Sequence, residues 1–150
     1  MTKPFQELHD RVNIYNEVLK SSEMRMELIE NNHAIASLCA DSRLLNCYGY
    51  IHGGAIYSLA DTACGICAMT NAPDAVTLNG LLNFVHPGRA GMMYAEAKTV
   101  HSGKTTGVYE VRVYNEENDT IAAGTFTMFL FRDKKPNPDA PHKKRNQSEK

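Results

Sequence analysis

Apolar positions recur in two different rhythms along this 150-residue chain, and the change of rhythm divides it. Phe5, Leu8, Val12, Tyr15 and Leu19 follow alternating spacings of three and four, one face of an amphipathic helix. Ser21, Ser22 and Glu23 suit the cap of a second short helix, with Met24 and Leu28 on one side. Residues 33–40 suit a strand. Arg43 to Asn46 then leads into a glycine-punctuated loop from Cys47 to Gly54. From Ala55 to Thr70 nearly every residue is small or apolar and no proline intervenes, which predicts a buried helix.

After residue 75 the period shortens to two. Val76, Leu78, Leu82 and Phe84 alternate with Thr77, Asn79 and Asn83, although Gly80 and Leu81 blur the pattern. Pro87-Gly88 marks a turn. Three more strands are predicted at roughly 92–101, 104–114 and 120–131. Together with the preceding run they predict a four-stranded antiparallel meander. The sequence reads as an α+β domain over residues 1–131, with helices in residues 1–30 and a sheet wrapped around one central helix. Residues 132–150, with three prolines among charges, read as a disordered tail.

Charge sharpens that division. The formal net charge is −1, which argues against a nucleic-acid binder. It sums a net of −5 over residues 1–131 and +4 over residues 132–150. Lys143, Lys144 and Arg145 suit a solvated spacer. The first ten residues lack the apolar core and cleavage site of a secretory signal. No run approaches the ~20 apolar residues that span a bilayer, and four cysteines are too sparse for a disulfide scaffold. A cytoplasmic protein with reduced thiols is the expectation.

The chemistry concentrates in one segment, Ile51 to Asp61. Gly53 and Gly54 open the predicted helix, where free N–H groups suit a developing oxyanion. Asp61 follows eight residues after Gly53, the one charged side chain in a run of sixteen. A buried carboxylate needs a partner or a task. Arg43 is one candidate partner. At ~1.5 Å per residue, Gly53 and Asp61 lie ~12 Å apart along the axis, too far to touch one carbonyl carbon. If two such helices run antiparallel across a two-fold axis, Gly53 of one subunit faces Asp61 of the other. A catalytic role therefore predicts a dimer with two shared sites.

The run His52-Gly53-Gly54 with Leu59-Ala60-Asp61-Thr62-Ala63 resembles the signature of hotdog-fold acyl-CoA thioesterases, more closely their phenylacetate-degradation (PaaI-like) branch. Asn83-Phe84-Val85-His86-Pro87-Gly88-Arg89-Ala90-Gly91 is similar to the family's "N-F-x-x-P-x-x-x-G" strand end. His101-Ser102-Gly103-Lys104-Thr105-Thr106 resembles its "H-x-G-K/R-x-T" turn. The motifs run in the family's order across about residues 33–131. The resemblance implies a thioester hydrolase cleaving an acyl-CoA, aryl or medium-chain, to free acid and coenzyme A, without metal or other cofactor. In it Asp61 is the carboxylate that attacks the carbonyl or activates a water. Gly53 supplies the oxyanion-binding N–H, and His52 shapes that end of the site. Asn46 places an amide near the carbonyl or the water, and Thr77 a hydroxyl near the attacking water. Arg89, Lys104 and Thr105 border the coenzyme A channel, where cations suit phosphate. Tyr50 sits near the acyl entrance. The resemblance also implies a homodimer with shared sites, paired further into a homotetramer, and no nucleic-acid or membrane partner.

Two other readings compete. A non-catalytic acyl-CoA binding module would keep Gly53, Arg89 and Lys104 but has no need of Asp61. A hotdog dehydratase would want a catalytic His in a different helix motif. Elsewhere, Cys64-Gly65-Ile66-Cys67 has metal or redox spacing but lies within the buried helix, which favours packed thiols. His33, His86 and His101 share no ligand spacing, and Gly53-Gly54 lacks the Lys of a phosphate loop.

Overall fold

The computed structural model describes residues 3–15 and 23–133. Expectations for Leu19, for the Ser21-Ser22 cap and for the tail beyond Asp133 lie outside the described residues. The first helix, α1 (Lys3–Tyr15), buries Leu8 and Val12 one turn apart, as its period demands. Residues 24–30 are a strand, not the second helix expected there. In β1 (Met24–Glu30) the buried Met24 and Met26 alternate with the exposed Arg25 and Glu27. The spacing of Met24 and Leu28 fits both periods. Pairing with β2 (His33–Ala40) decides between them, because it satisfies backbone groups that a short isolated helix would leave unpaired. Asn32, in the left-handed region at φ 64°, turns the chain between the two strands.

The central helix, α2 (Gly53–Met69), is followed by β3 (Asp74–Phe84), β4 (Gly91–Ser102), β5 (Thr106–Asn115) and β6 (Thr120–Phe131). All six strands form one antiparallel sheet in the order β1-β2-β4-β5-β6-β3. Only β4, β5 and β6 form the expected meander. β3 pairs with β6 instead of β4, so it closes the sheet at the far edge from β1. Among the described residues that placement leaves the other side of β3 without a strand.

α2 lies on one face of the sheet, in contact with all six strands. Its buried side holds Ile56, Leu59, Ala60, Ala63, Cys64, Ile66, Cys67 and Ala68. Ala34 and Ala36 on β2, Ala95 and Ala97 on β4, and Ala122 on β6 keep the middle of the sheet low beneath it. Met93, Tyr109, Phe126 and Met128, all fully buried, fill the curved space around the helix. Packing at this density leaves little slack for added volume. The apolar composition of α2 predicts a helix buried all round. In the structure Gly54 and Ser58 are exposed, and Asp61, Thr62, Gly65 and Met69 half-exposed, at positions that fall on one open stripe. No described helix is long and apolar enough to cross a membrane.

Candidate active site

The start of α2 is held by a short closed loop. Asn46 Oδ1 accepts from the backbone N–H groups of Tyr48 (2.9 Å) and Tyr50 (3.2 Å), an Asx-type turn that short polar side chains favour. Its backbone N–H donates to the Tyr50 carbonyl at 2.7 Å, and Leu45 bridges Ile51. The His52 N–H then donates to Leu44 O at 2.7 Å, and the Ile51 N–H to Gly88 O at 2.9 Å. These bonds fix where α2 begins.

His52 caps the helix. Its Nδ1 accepts from the Gly54 N–H at 3.0 Å, and its carbonyl accepts from Ala55. Among the described residues the Gly53 N–H has no acceptor, so one of the first-turn donors is left unengaged. The helix dipole adds to its attraction for negative charge. A Cβ built at Gly53 would meet the Phe84 ring at 3.5 Å, so this aromatic from the end of β3 lies against the helix start. Phe84 belongs to the strand-end motif, yet periodicity carries no sign of its contact with Gly53.

Asp61 lies two turns further, half-exposed on the open stripe. The Thr77 hydroxyl donates to its Oδ1 at 2.6 Å. Oδ2 has no partner among the described residues. Arg43 plays no part here, because it pairs with Asp41 and Glu23. What aims Thr77 at Asp61 is a bulge. The register of β3 against β6 slips between Thr77 and Asn79, with Leu78 the extra residue. Thr77 pairs with the buried Met128 and so shares the helix-facing side of the sheet, whereas strict alternation would turn it to the other side. Gly80 and Leu81 blur the sequence pattern in the same region.

The phosphate-channel candidates separate within the chain. Arg89 is exposed in the loop after β3, and Gly88 docks that loop beside the start of α2 through Ile51. Lys104 and Thr105 are exposed in the β4–β5 turn at the opposite end. Arg132 ties that turn to the end of α2: its guanidinium donates to Gly103 O (2.6 Å), Asn71 O (2.6 Å) and Ser102 Oγ (3.1 Å). Arg132 is the first residue of the segment whose composition reads as a tail, and carbonyls exposed at two chain turns converge where its fork can reach them. Along α2 the two ends are ~24 Å apart. Tyr50 is exposed in the loop held by Asn46, near the helix start.

The remaining candidates are structural. Cys64 and Cys67 are buried against the sheet, and Cys67 Sγ lies 3.6 Å from Thr99 Oγ1. Burial pushes both thiols above the usual thiol range. His33 Nε2 sits 2.8 Å from Glu96 Oε1, and His86 Nδ1 2.9 Å from the Thr120 carbonyl. Among the described residues no group of three or more His, Cys, Asp or Glu side chains could hold a metal ion.

Comparison with known proteins bears on this geometry. A family model described as Thioesterase superfamily matches residues 48–122, which span the α2 start, Asp61, Thr77 and most of the sheet. Acyl-coenzyme A thioesterase PaaI of Escherichia coli is 33% identical over 63% of this chain and 68% of its own length. The solved E. coli PaaI protein from the phenylacetic acid degradation operon superposes with a TM-score of 0.81 at 25% identity, covering 84% of this chain and 92% of that one. A Streptococcus mutans structure bound to acetyl CoA is 34% identical, with a TM-score of 0.70 over 73% of this chain and 90% of that one. With its one antiparallel sheet around α2, the chain belongs to the thioesterase superfamily of hotdog-fold proteins, in the PaaI-like branch, and is a thioester hydrolase.

Proposed function

We propose that this protein hydrolyses an acyl-CoA to free acid and coenzyme A at two equivalent sites, each shared between the subunits of a dimer. The observation that carries the reading is the Asp61 carboxylate, with one oxygen held by Thr77 and the other free on the open stripe of α2. The relatives supply the substrate class: one is an acyl-coenzyme A thioesterase and another was solved with acetyl CoA bound.

The dimer follows from the uncovered edge. β3 has eleven residues and, among the described residues, a partner strand on one side only. Leu78, Phe84 and the adjoining Val85 are each more than half exposed. A long apolar edge strand is a template for pairing with another chain. Pairing with a second β3 across a two-fold axis joins the sheets and sets the two α2 helices antiparallel. Gly53 and Arg89 of one subunit then approach Asp61, Thr77 and Lys104 of the partner subunit. The ~24 Å between the two ends within a chain shortens to ~12 Å along the helix axis across the interface.

In this arrangement the thioester carbonyl oxygen accepts the free Gly53 N–H. Oδ2 of Asp61 of the partner subunit reacts at the other side of the carbonyl carbon. As a base it takes a proton from water as the water oxygen adds to the carbon. The C–S bond breaks and the coenzyme A thiolate leaves, to be protonated to the thiol. As a nucleophile Oδ2 adds to the carbon itself and the C–S bond breaks with loss of the thiolate; water then adds to the Asp61 carbonyl of the resulting anhydride, which releases the acid and restores the carboxylate. Single-turnover hydrolysis in isotopically labelled water separates the two, because only the second deposits solvent oxygen in the Asp61 carboxylate. Asn46 keeps its NH₂ donors for the carbonyl or water, since only its oxygen is used in the loop. His52 works by keeping Gly54 occupied and Gly53 free. Arg89, Lys104 and Thr105 meet the phosphates, and Tyr50 stands at the acyl entrance.

The test is thiol release from a panel of aryl- and medium-chain acyl-CoAs by wild type and Asp61→Asn. We expect kcat to fall on the order of 10²–10⁴-fold for the variant, with acyl-CoA binding retained. Undiminished turnover by Asp61→Asn would remove the proposed carboxylate. Tight binding without thiol release by wild type would favour a binding module instead.

A further inference from the structure

Lys104 and Thr105 stand on the exposed turn between β4 and β5, a kind of connection that is ordinarily mobile. Here it is fastened by its carbonyl groups. The Gly103 N–H donates to the Thr106 carbonyl at 2.8 Å, which closes the turn, and the Leu130 N–H donates to the Thr105 carbonyl at 2.8 Å. The Arg132 guanidinium takes the carbonyls between these two. Its Nη2 donates to Gly103 O at 2.6 Å, and its Nε reaches Lys104 O at 3.4 Å. The same guanidinium is anchored just past the end of α2, on Asn71 O at 2.6 Å, and on Ser102 Oγ at 3.1 Å.

The consequence lies on the other side of the turn. In a trans peptide the C=O and N–H of one unit point in opposite directions, and no peptide bond among the described residues is cis. The Gly103 carbonyl shares its peptide unit with the Lys104 N–H, and the Lys104 carbonyl shares its own with the Thr105 N–H. By drawing both carbonyls toward the end of α2, Arg132 turns both N–H groups away from it. Neither N–H has an acceptor among the described residues. A cation at the oxygen end of a peptide unit also polarises it and strengthens its N–H as a donor. These four bonds of Arg132 go to neutral oxygens, so none of them offsets its charge.

We propose that Arg132 is a positioning residue for coenzyme A. It presents the Lys104 and Thr105 N–H groups, beside the Lys104 ammonium and the Thr105 hydroxyl, as one cradle for a phosphate group. Successive backbone N–H groups in a turn make a concavity that holds anions. Because the guanidinium also grips Asn71 O, the cradle is fixed to α2, the helix that carries Asp61. The phosphate end and the reacting end of the substrate are thereby held on one body. The planar fork is what matters: a single lysine nitrogen cannot span carbonyls from two turns as the guanidinium does. The inference rests on the reading of Lys104 and Thr105 as phosphate contacts given above. It adds a residue that acts through their turn and not by touching the thioester.

The test carries one acyl group on coenzyme A, on dephospho-coenzyme A and on pantetheine, and measures the Kd of coenzyme A by calorimetry on the same samples. Arg132→Ala should raise the KM for acyl-CoA and the Kd of coenzyme A on the order of tenfold, the scale of one hydrogen bond to a charged group, with kcat little changed. Both constants for acyl-pantetheine, which has no phosphate, should stay at the wild-type values; a merely structural loss would move them too. Arg132→Lys keeps the charge and loses the fork, so its KM for acyl-CoA should stay raised. A rise for acyl-CoA and acyl-dephospho-CoA alike assigns the cradle to the diphosphate, and a rise for acyl-CoA alone to the 3′-phosphate. Three results would overturn the proposal: wild-type KM and Kd in Arg132→Ala, an equal loss with acyl-pantetheine, or full recovery by lysine. Lys104→Ala separates this inference from the reading beneath it. If that variant binds coenzyme A as the wild type does, the phosphate assignment of the turn falls and the proposal with it. If Lys104→Ala weakens binding and Arg132→Ala does not, only the role of Arg132 falls. The Kd comparison holds whether or not the thioester is hydrolysed.

Discussion

The two sides of α2 differ in kind although their residues look alike. On the covered side Ile56, Leu59, Ala63 and Cys67 press into a sheet floored with alanine. On the open side Gly54, Ser58, Asp61, Thr62 and Gly65 form a stripe of small residues around one carboxylate. The covered side fixes where the helix lies and has no further use for its polar atoms. The open side keeps a carboxylate oxygen and lies beside β3, an edge strand among the described residues. Stability and the proposed chemistry are thus assigned to opposite sides of a single helix.

The largest effect that would break this contrast comes from removing the edge. Leu78→Lys places a charge at the exposed bulge of β3 without touching the core. We expect dissociation of the proposed β3–β3 pair and near-complete loss of turnover, with the circular dichroism spectrum kept. Arg25→Glu on β1, the opposite edge, should leave both assembly and turnover as they are. Equal effects at the two edges would mean that β3 is not special. Sedimentation velocity and thiol release on the same samples give both answers.

A smaller effect is expected within the open side. Thr77→Val keeps the shape of the side chain and removes the hydroxyl that holds Asp61 Oδ1. A hydrogen bond to a charged group contributes about 1.5–3 kcal/mol, so kcat should fall on the order of 10- to 100-fold while KM changes little. An unchanged kcat would show that the 2.6 Å contact does not position the carboxylate.

The smallest effect concerns the covered side, where an absence of reaction is the prediction. Burial raises the pKa of Cys64 and Cys67, so at pH 8 the reactive thiolate form is scarce and access is closed. Exposed Cys39 and Cys47 should be alkylated first, and the helix thiols only after unfolding. Mass mapping of native protein treated with iodoacetamide checks this. Fast labelling of Cys64 would mean that α2 lifts from the sheet.

The contrast between the sides of α2 also explains what could be read beforehand. A run of small and apolar residues announces a helix packed on something, and α2 follows its predicted span to within about two residues at the start and one at the end. It does not say which side is covered, because Gly54 and Ala60 look interchangeable until the sheet is in place. β4, β5 and β6 alternate cleanly and fall close to their predicted ranges. β3 does not, because its bulge shifts the face of every residue before it by one step. The position of β3 beside β6 is a matter of long-range pairing, on which local periodicity is silent. The same holds for β1, where Met24 and Leu28 fit a helical spacing and only pairing with β2 selects the strand. Of the candidate site, Gly53 and Asp61 are visible through their spacing, and His52 through the family likeness. Thr77 entered through the family likeness, and only the bulge explains how it reaches Asp61. Phe84 against Gly53 and Arg132 across two turns depend on contacts between distant segments.

The central claim is that each site draws its amide from one subunit and its carboxylate from the other. Gly53→Pro removes the N–H at the first helical position, where proline is tolerated, and sets its Cβ at ordinary contact distance (3.5 Å) from the Phe84 ring; Asp61→Asn removes only the charge. Each homodimer should be nearly inactive. A purified heterodimer of the two variants contains one site with both defects and one with neither. It should therefore turn over at about half the wild-type rate, by the arithmetic of a two-fold interface. A heterodimer as inactive as its parents would place both groups of each site in one chain and contradict the account.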